Sequence, residues 1–259
     1  MNTLFFSFEN LHLSKLGIAL RHNERERQDE INRCPHIDPD RTHLNYRLFG
    51  NGNTEELLRL VQGRISDYEL NTGKKMRHDA IPCLEVLFSW PSTKEIGLAE
   101  SFFVDCLEWA KTQCHPAVAI SAVVHHDESS PHMHVIFLCV TRDQLLASRI
   151  KGYKAKFKQR QDDFFATVGQ KYGLYPPPPK LNKTDKVRLA DTVRTYLHSS
   201  SDPVLKSTLF PTIWRAIVAD PVFYAQALGI EINPSPRKMR TLTQIMTSKG
   251  KGSNCPFEK

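Results

Sequence analysis

The 259-residue sequence has no run of about 18 apolar residues, which excludes a bilayer-crossing helix. Its first residues show neither a basic n-region nor a small-residue cleavage site, so no secretory leader is expected. No Cys-x-x-Cys pair occurs. The six cysteines (34, 83, 106, 114, 139 and 255) are scattered, as expected of free thiols in a reducing cytoplasm. There is no internal repeat. What remains is an ordinary globular composition, 40% hydrophobic and 24% charged, enough for one large domain or one domain with a small appendage.

Charge is the first positive signal. The formal net charge is +7, and the basic residues cluster: Lys74-Lys75-x-Arg77, then Lys151 to Arg160, Lys180 to Arg188, and Arg237 to Lys251. Such clusters favour a polyanion, most commonly a nucleic acid backbone, although any single one could be a solvated helix face.

The densest chemistry lies in His125-x-Asp127-Glu128-x-x-Pro131-His132-Met133-His134. Alternate residues of a strand share a face, so His132 and His134 project side by side. Residues 117–124 and 135–140 read as two buried strands, separated by a polar turn closed by Pro131. If they pair antiparallel with His125 opposite His132, Val123 falls opposite His134. All three histidines then share one face at the mouth of a hairpin. Converging neutral imidazoles suit a divalent transition metal, and three protein ligands leave positions open for a substrate. The alternative is a set of ordinary polar residues at a strand end. His126 should face away, as a surface or supporting residue.

Elsewhere the pattern predicts a strand over 3–8, a polar helical segment over 16–31, and a loop over 32–40. A helix is predicted from Thr54, as N-cap, to about 68, and a strand over 81–89. A helix through 112 is expected to start from a capping sequence at 92–95. A basic amphipathic segment over 144–172 is interrupted by Gly152. Pro176 to Pro179 must be extended and mark a boundary. The expected organisation is therefore 1–175 as catalytic domain, 176–232 as proline linker and helical extension, and 233–259 as a basic, flexible tail. The fold class is α+β: an antiparallel sheet with helices packed on one face, followed by a small helical C-terminal region.

A second constellation precedes the hairpin: His22-Asn23-x-Arg25, then Asp38-Pro39-x-Arg41-x-x-Leu44-Asn45-Tyr46-x-Leu48, then Lys75-x-Arg77-x-Asp79-Ala80. With the histidine hairpin, this order of motifs resembles the MobV (Mob/Pre) plasmid mobilisation relaxases of the HUH endonuclease superfamily. The resemblance covers residues 1 to about 172. It implies a metal-dependent enzyme that nicks one strand of plasmid DNA at an origin of transfer, stays joined to the 5′ phosphate, and later reseals the strand. It further implies His22 as nucleophile, giving a transient phosphohistidine. Imidazole chemistry supports that assignment: a neutral imidazole attacks directly, whereas a phenol with a pKa of about 10 needs a base. Tyr46 is the rival nucleophile.

Under this reading His125, His132 and His134 hold a divalent metal, Mn²⁺ first, with Mg²⁺, Zn²⁺, Ni²⁺ or Co²⁺ as alternatives. Glu128 is a fourth ligand, an orienter of a ligand, or a proton acceptor. Arg25, three residues from His22, could grip a phosphate, or could be a surface arginine paired with Glu24 or Asp29. Lys74, Arg77, Arg41, Asn45 and Tyr46 are candidate DNA contacts, and Asp38 and Arg41 an expected local ion pair. Cys34-Pro35-His36 looks metal-like, but two residues make no site. The partner is plasmid DNA at the origin, a hairpin and its adjacent single strand, with relaxosome proteins and a homodimer as further expectations. Competing functions are a rolling-circle replication initiator, a non-catalytic DNA-binding autoregulator, and an unrelated metallohydrolase. Relatives of this kind usually carry a longer C-terminal region.

Overall fold

The computed structural model describes residues 5–26, 34–91, 94–177 and 181–235. The chain divides into two compact units, residues 1–177 and 178–259.

The first unit is built on five strands: β1 (Phe5–Leu11), β2 (Tyr46–Phe49), β3 (Cys83–Ser89), β4 (Val118–His125) and β5 (His132–Leu138). They form one antiparallel sheet in the order β1-β3-β5-β4-β2. Among the described residues five α-helices accompany it: α1 (Leu13–Asn23), α2 (Thr54–Thr72), α3 (Ala99–Cys114), α4 (Ala147–Lys151) and α5 (Lys154–Thr167).

Strand alternation sorts the side chains onto two faces. Phe6, Phe8, Val86, Phe88, Met133, Val135 and Phe137 point to one face, against Phe102, Phe103 and Trp109 of α3 and Phe164 of α5. Each fully buried aromatic or aliphatic side chain there stabilises by roughly 1.5–3 kcal/mol. This is the expected helix-covered sheet. The second face is covered over part of its length: Leu11, Cys83, Ile136 and Leu138 meet Leu16 and Leu20 of α1 and Leu57, Val61 and Ile65 of α2. Continuing in steps of two from Ile136, the next side chains on that face are His134 and His132. The apolar half of the face anchors helices, and the polar half forms the site.

Local chemistry sets the helix ends. Asn53, not Thr54, caps α2, accepting the Glu56 amide at 3.1 Å. Thr54 instead donates its hydroxyl to Glu26 at 2.6 Å. Gly73 closes the helix at φ +67°, a left-handed position where glycine carries no side-chain strain. The third helix begins at Ala99 after a short 3₁₀ turn, later than the 92–95 capping sequence implied, and residues 92–93 lie outside the described residues. Gly152, at φ +65°, separates α4 from α5.

The chain direction positions the site. β1 runs about 20 Å away from the histidine end, at about 3.3 Å per residue. α1 returns along the second face, 11 residues long, or about 16 Å at 1.5 Å per residue. His22 and Asn23 are thereby delivered back to the hairpin.

The second unit holds α6 (Lys183–Ser199), α7 (Phe210–Ala219) and α8 (Pro221–Ala227) around Leu189, Val193, Leu197, Ile217 and Val222. Asn182 caps α6 through the Asp185 amide, 2.8 Å away, and prolines open α7 and α8. The basic tail from 236, and with it Arg237 to Lys251, lies outside the described residues. Among the described residues no helix is long and apolar enough to cross a membrane.

Candidate metal centre and nucleophile

The hairpin register places His125 opposite His132 and Val123 opposite His134. One nitrogen from each of His125, His132 and His134 lies within 4.8 Å of the other two, and the ring centroids are 5.0–5.2 Å apart.

Each imidazole has one nitrogen taken by a fixed acceptor. His125 Nε2 lies 2.8 Å from the Asn23 carbonyl, His132 Nδ1 2.9 Å from the Ser130 carbonyl, and His134 Nδ1 2.9 Å from Glu85 Oε1. Carbonyls and carboxylates only accept, so these nitrogens carry the protons. The lone pairs lie on His125 Nδ1, which accepts from Arg25 Nη2 at 3.3 Å, and on His132 Nε2 and His134 Nε2. Burial lowers the His125 pKa to about 2, aided by the charges of His134 and Arg25, and burial also lowers that of His132. Both stay neutral near neutral pH, the state a metal requires. The donor set therefore fits a divalent transition ion.

His22 belongs to the same cluster. Its ring centroid is 6.0 Å from His125 and 6.3 Å from His134, and it forms a second potential ligand group with His125 and Glu128. Arg25 Nη1 lies 3.1 Å from His22 Nε2; a guanidinium only donates, so Nε2 carries the lone pair.

Arg25 is the organiser. It follows α1 in the left-handed region at φ +51°, a strain of order 1–3 kcal/mol for a non-glycine residue. Its Nε and Nη2 grip both oxygens of Asp127 at 2.9 and 2.8 Å, and Nη2 also reaches Glu128 Oε1 at 2.8 Å. The Asp127 side chain is fully buried and that of Arg25 6% exposed. Burial pushes the Asp127 carboxyl up, but Arg25 and Asn45 outweigh it and hold the group well below the usual range. Burial likewise lowers Arg25, and the two carboxylates reverse the direction. This corrects two expectations. Arg25 is no surface residue, and Glu24 pairs instead with Arg47. Nor is its fork open for a phosphate, because Asp127 occupies it. Asp29 lies outside the described residues.

Glu128 Oε1 lies 4.0 Å from His125 Nδ1 and 3.8 Å from His132 Nε2, at the rim of the lone-pair triangle. Asn45 spends its amide on Asp127 Oδ2 (2.7 Å) and on the His126 main-chain N–H (2.7 Å), so it clamps the hairpin. Arg41 donates to the Glu128 carbonyl at 3.4 Å, while the Asp38 side chain accepts the Asp40 amide. The expected Asp38–Arg41 pair is thus replaced by one local hydrogen bond and one to the hairpin turn.

Tyr46 faces away from the cluster. It pairs with Val124, whose side chain points to the helix-covered face, and its ring packs in that core. Its hydroxyl is buried with no hydrogen-bond partner, and burial pushes its pKa up to about 12. A neutral phenol on the wrong face, with its hydroxyl buried, is a poor nucleophile and a poor DNA contact. His126 is not a surface residue: it is buried and stacks on Tyr46 at 5.7 Å. Lys74 and Arg77 precede β3 at its Cys83 end, about 20 Å along the strands from the histidine end, and Arg77 pairs with Asp79. They are not part of this cluster.

Two contributors, Glu85 and Asn23, received no role from sequence reasoning, and a third, His36, entered it only within the metal-like Cys34-Pro35-His36 stretch. Glu85 had a signal, a carboxylate inside an otherwise apolar strand. Asn23 acts through its carbonyl, on His125, and through its side-chain amide, which donates to Glu85 Oε1 at 3.4 Å. His36 lines the same cleft as His22, Glu128, His132 and His134.

A family model described as plasmid recombination enzyme (Mob_Pre) matches residues 1–175. The plasmid recombination enzyme type 1 of Staphylococcus aureus is 33% identical over 160 residues, 58% of this chain and 38% of that protein. The plasmid recombination enzyme of Streptococcus agalactiae is 24% identical over 217 residues, 81% of this chain and 42% of that protein. The chain thus spans about two-fifths of the length of these curated relatives. Among solved structures, the MobM relaxase domain bound to plasmid pMV158 oriT DNA, in a Mn-bound crystal, shares the fold. Its TM-score is 0.58 at 21% identity, over 69% of this chain and 90% of that one.

Proposed function

The chain belongs to the plasmid recombination enzyme (Mob/Pre) family, and from that premise we propose that its first 175 residues form a metal-dependent relaxase. It nicks one strand of plasmid DNA at an origin of transfer and later reseals it. The carrying observation is the convergence of His22 with the three imidazoles of the hairpin.

His125, His132 and His134 would hold the ion, and Mn²⁺ is the first candidate because the MobM neighbour is Mn-bound. When bound, the metal supplies a Lewis acid that polarises the scissile phosphate and offsets its charge. His22 Nε2, already bearing the lone pair, forms a bond to phosphorus as the P–O3′ bond breaks. The 3′ oxygen leaves with the bonding pair and takes a proton; the 5′ phosphate stays on the imidazole. The phosphoramidate remains activated, so a 3′ hydroxyl can reverse the reaction and close the strand. Glu85, Asn23 and the Ser130 carbonyl fix the tautomers of the metal-binding imidazoles. Arg25 holds Asp127 and Glu128 in place, and its hydrogen bond to His22 Nε2 fixes that ring until the lone pair is given over to phosphorus.

The test is nicking of supercoiled plasmid bearing the cognate origin, with Mn²⁺ or EDTA, by wild type, His22→Ala and Tyr46→Phe. Products are resolved on denaturing gels after protease digestion. Metal-dependent nicking that survives Tyr46→Phe and vanishes in His22→Ala is expected. Tight specific binding without nicking by wild type would turn the reading toward an autoregulator.

A further inference from the structure

A nick needs two proton events. The nucleophile must present a lone pair, which His22 does, and the departing 3′ oxygen must gain a proton. His22, Glu128 and two of the metal-binding histidines share their cleft with His36. Glu128 is bonded to Arg25, and the three hairpin histidines are the metal set. Serine hydroxyls in the wall, Ser129 and Ser130, hold their protons too tightly for general acid work near neutrality, whereas imidazole both gives and takes protons there.

The position of His36 is fixed although its side chain is exposed. Ile37, its neighbour, is buried. The Asp38 N–H donates to the Asp127 carbonyl at 2.7 Å, and the Thr42 hydroxyl to Asp127 Oδ2 at 3.1 Å. Arg41 reaches the Glu128 carbonyl. The segment carrying His36 is thus tied to the hairpin turn itself, at three points, beside the reacting centre.

We propose that His36 is a catalytic residue, the proton donor to the 3′ oxygen during nicking and the proton acceptor from the 3′ hydroxyl during resealing. This rests on the His22 reading above. As the N–P bond forms and the P–O3′ bond breaks, the proton of the His36 imidazolium passes to the 3′ oxygen, leaving a neutral imidazole. In the reverse direction that imidazole takes the proton of the attacking hydroxyl, and the N–P bond breaks. No external reductant or oxidant enters.

The test compares two single-stranded oligonucleotides spanning the nick site, one natural and one with sulfur in place of the bridging 3′ oxygen. A thiolate leaves without needing a proton. With the full chain and Mn²⁺, His36→Ala and His36→Gln should slow adduct formation on the oxygen substrate by about 10²-fold or more, the scale of general acid catalysis. On the sulfur substrate both variants should keep close to the wild-type rate, which also certifies their folding. Equal losses on both substrates would overturn the inference in favour of a phosphate grip or a structural role. An unimpaired rate on oxygen would overturn it outright. Absence of any covalent adduct with wild type, on either substrate, would overturn the His22 reading and this inference together.

Discussion

Arg25 and Arg160, whose side chains are both buried in the first unit, are satisfied in opposite ways. Arg25 sits at the histidine end between two carboxylates. Arg160, on α5, lies 4.6 Å over the Phe8 ring and donates to the Lys151 carbonyl at 3.1 Å, to the Ile150 carbonyl, and to the Gln113 side chain at 3.3 Å. Burial lowers the pKa of Arg160, whereas the carboxylates turn that of Arg25 upward. Dipoles at the end of α4 suffice where the cation only closes a packed corner. Where the chain holds two acidic side chains together, a full counter-charge is required. The difference separates a cation that closes a packed corner from one that orders the histidine cleft.

The sharpest way to break this comparison is Arg25→Ala. It strands the buried Asp127, so unfolding in urea should show a loss of about 3–5 kcal/mol, with nicking lost as well. Adding Asp127→Asn should recover part of the stability and none of the nicking. Arg160→Met comes next. It keeps the apolar stem but leaves carbonyls unpaired, so stability should fall by about 1–3 kcal/mol while nicking per folded molecule is retained. Loss of nicking there would merge the two classes.

Glu85→Gln sharpens the reacting side. It keeps shape while weakening the acceptor of His134 Nδ1–H, and metal affinity by titration calorimetry should fall about 10- to 100-fold. The smallest effect belongs to Tyr46→Phe. It removes a buried hydroxyl without a partner, so stability should stay within about 0.5 kcal/mol of wild type and nicking should persist.

Legibility followed sequence distance. The register of the histidine hairpin follows from alternation and the length of one turn, and His125, His132 and His134 were readable together. The pairing of His22 with Arg25 was also anticipated, although a left-handed residue past the helix end, rather than a helical turn, brings them together. What could not be read depends on partners far along the chain. Glu85 reaches His134 because β3 lies beside β5, an order the sequence does not encode locally. Tyr46 turned away because β2 pairs Tyr46 with Val124 rather than with a residue of the site face; a one-residue slip reverses every side chain. Lys74 and Arg77 follow the end of α2 and lead into the far end of β3, apart from the histidine cluster, so their reading as DNA contacts rests on charge alone.

The central claim is that His22 carries the DNA. The direct measurement is mass spectrometry of the protease-digested adduct, with and without mild acid. A 5′ nucleotide on the His22 peptide, released by acid as a phosphoramidate must be, is the predicted result. An acid-stable adduct mapping to Tyr46, or to any residue outside the histidine cleft, would contradict the account.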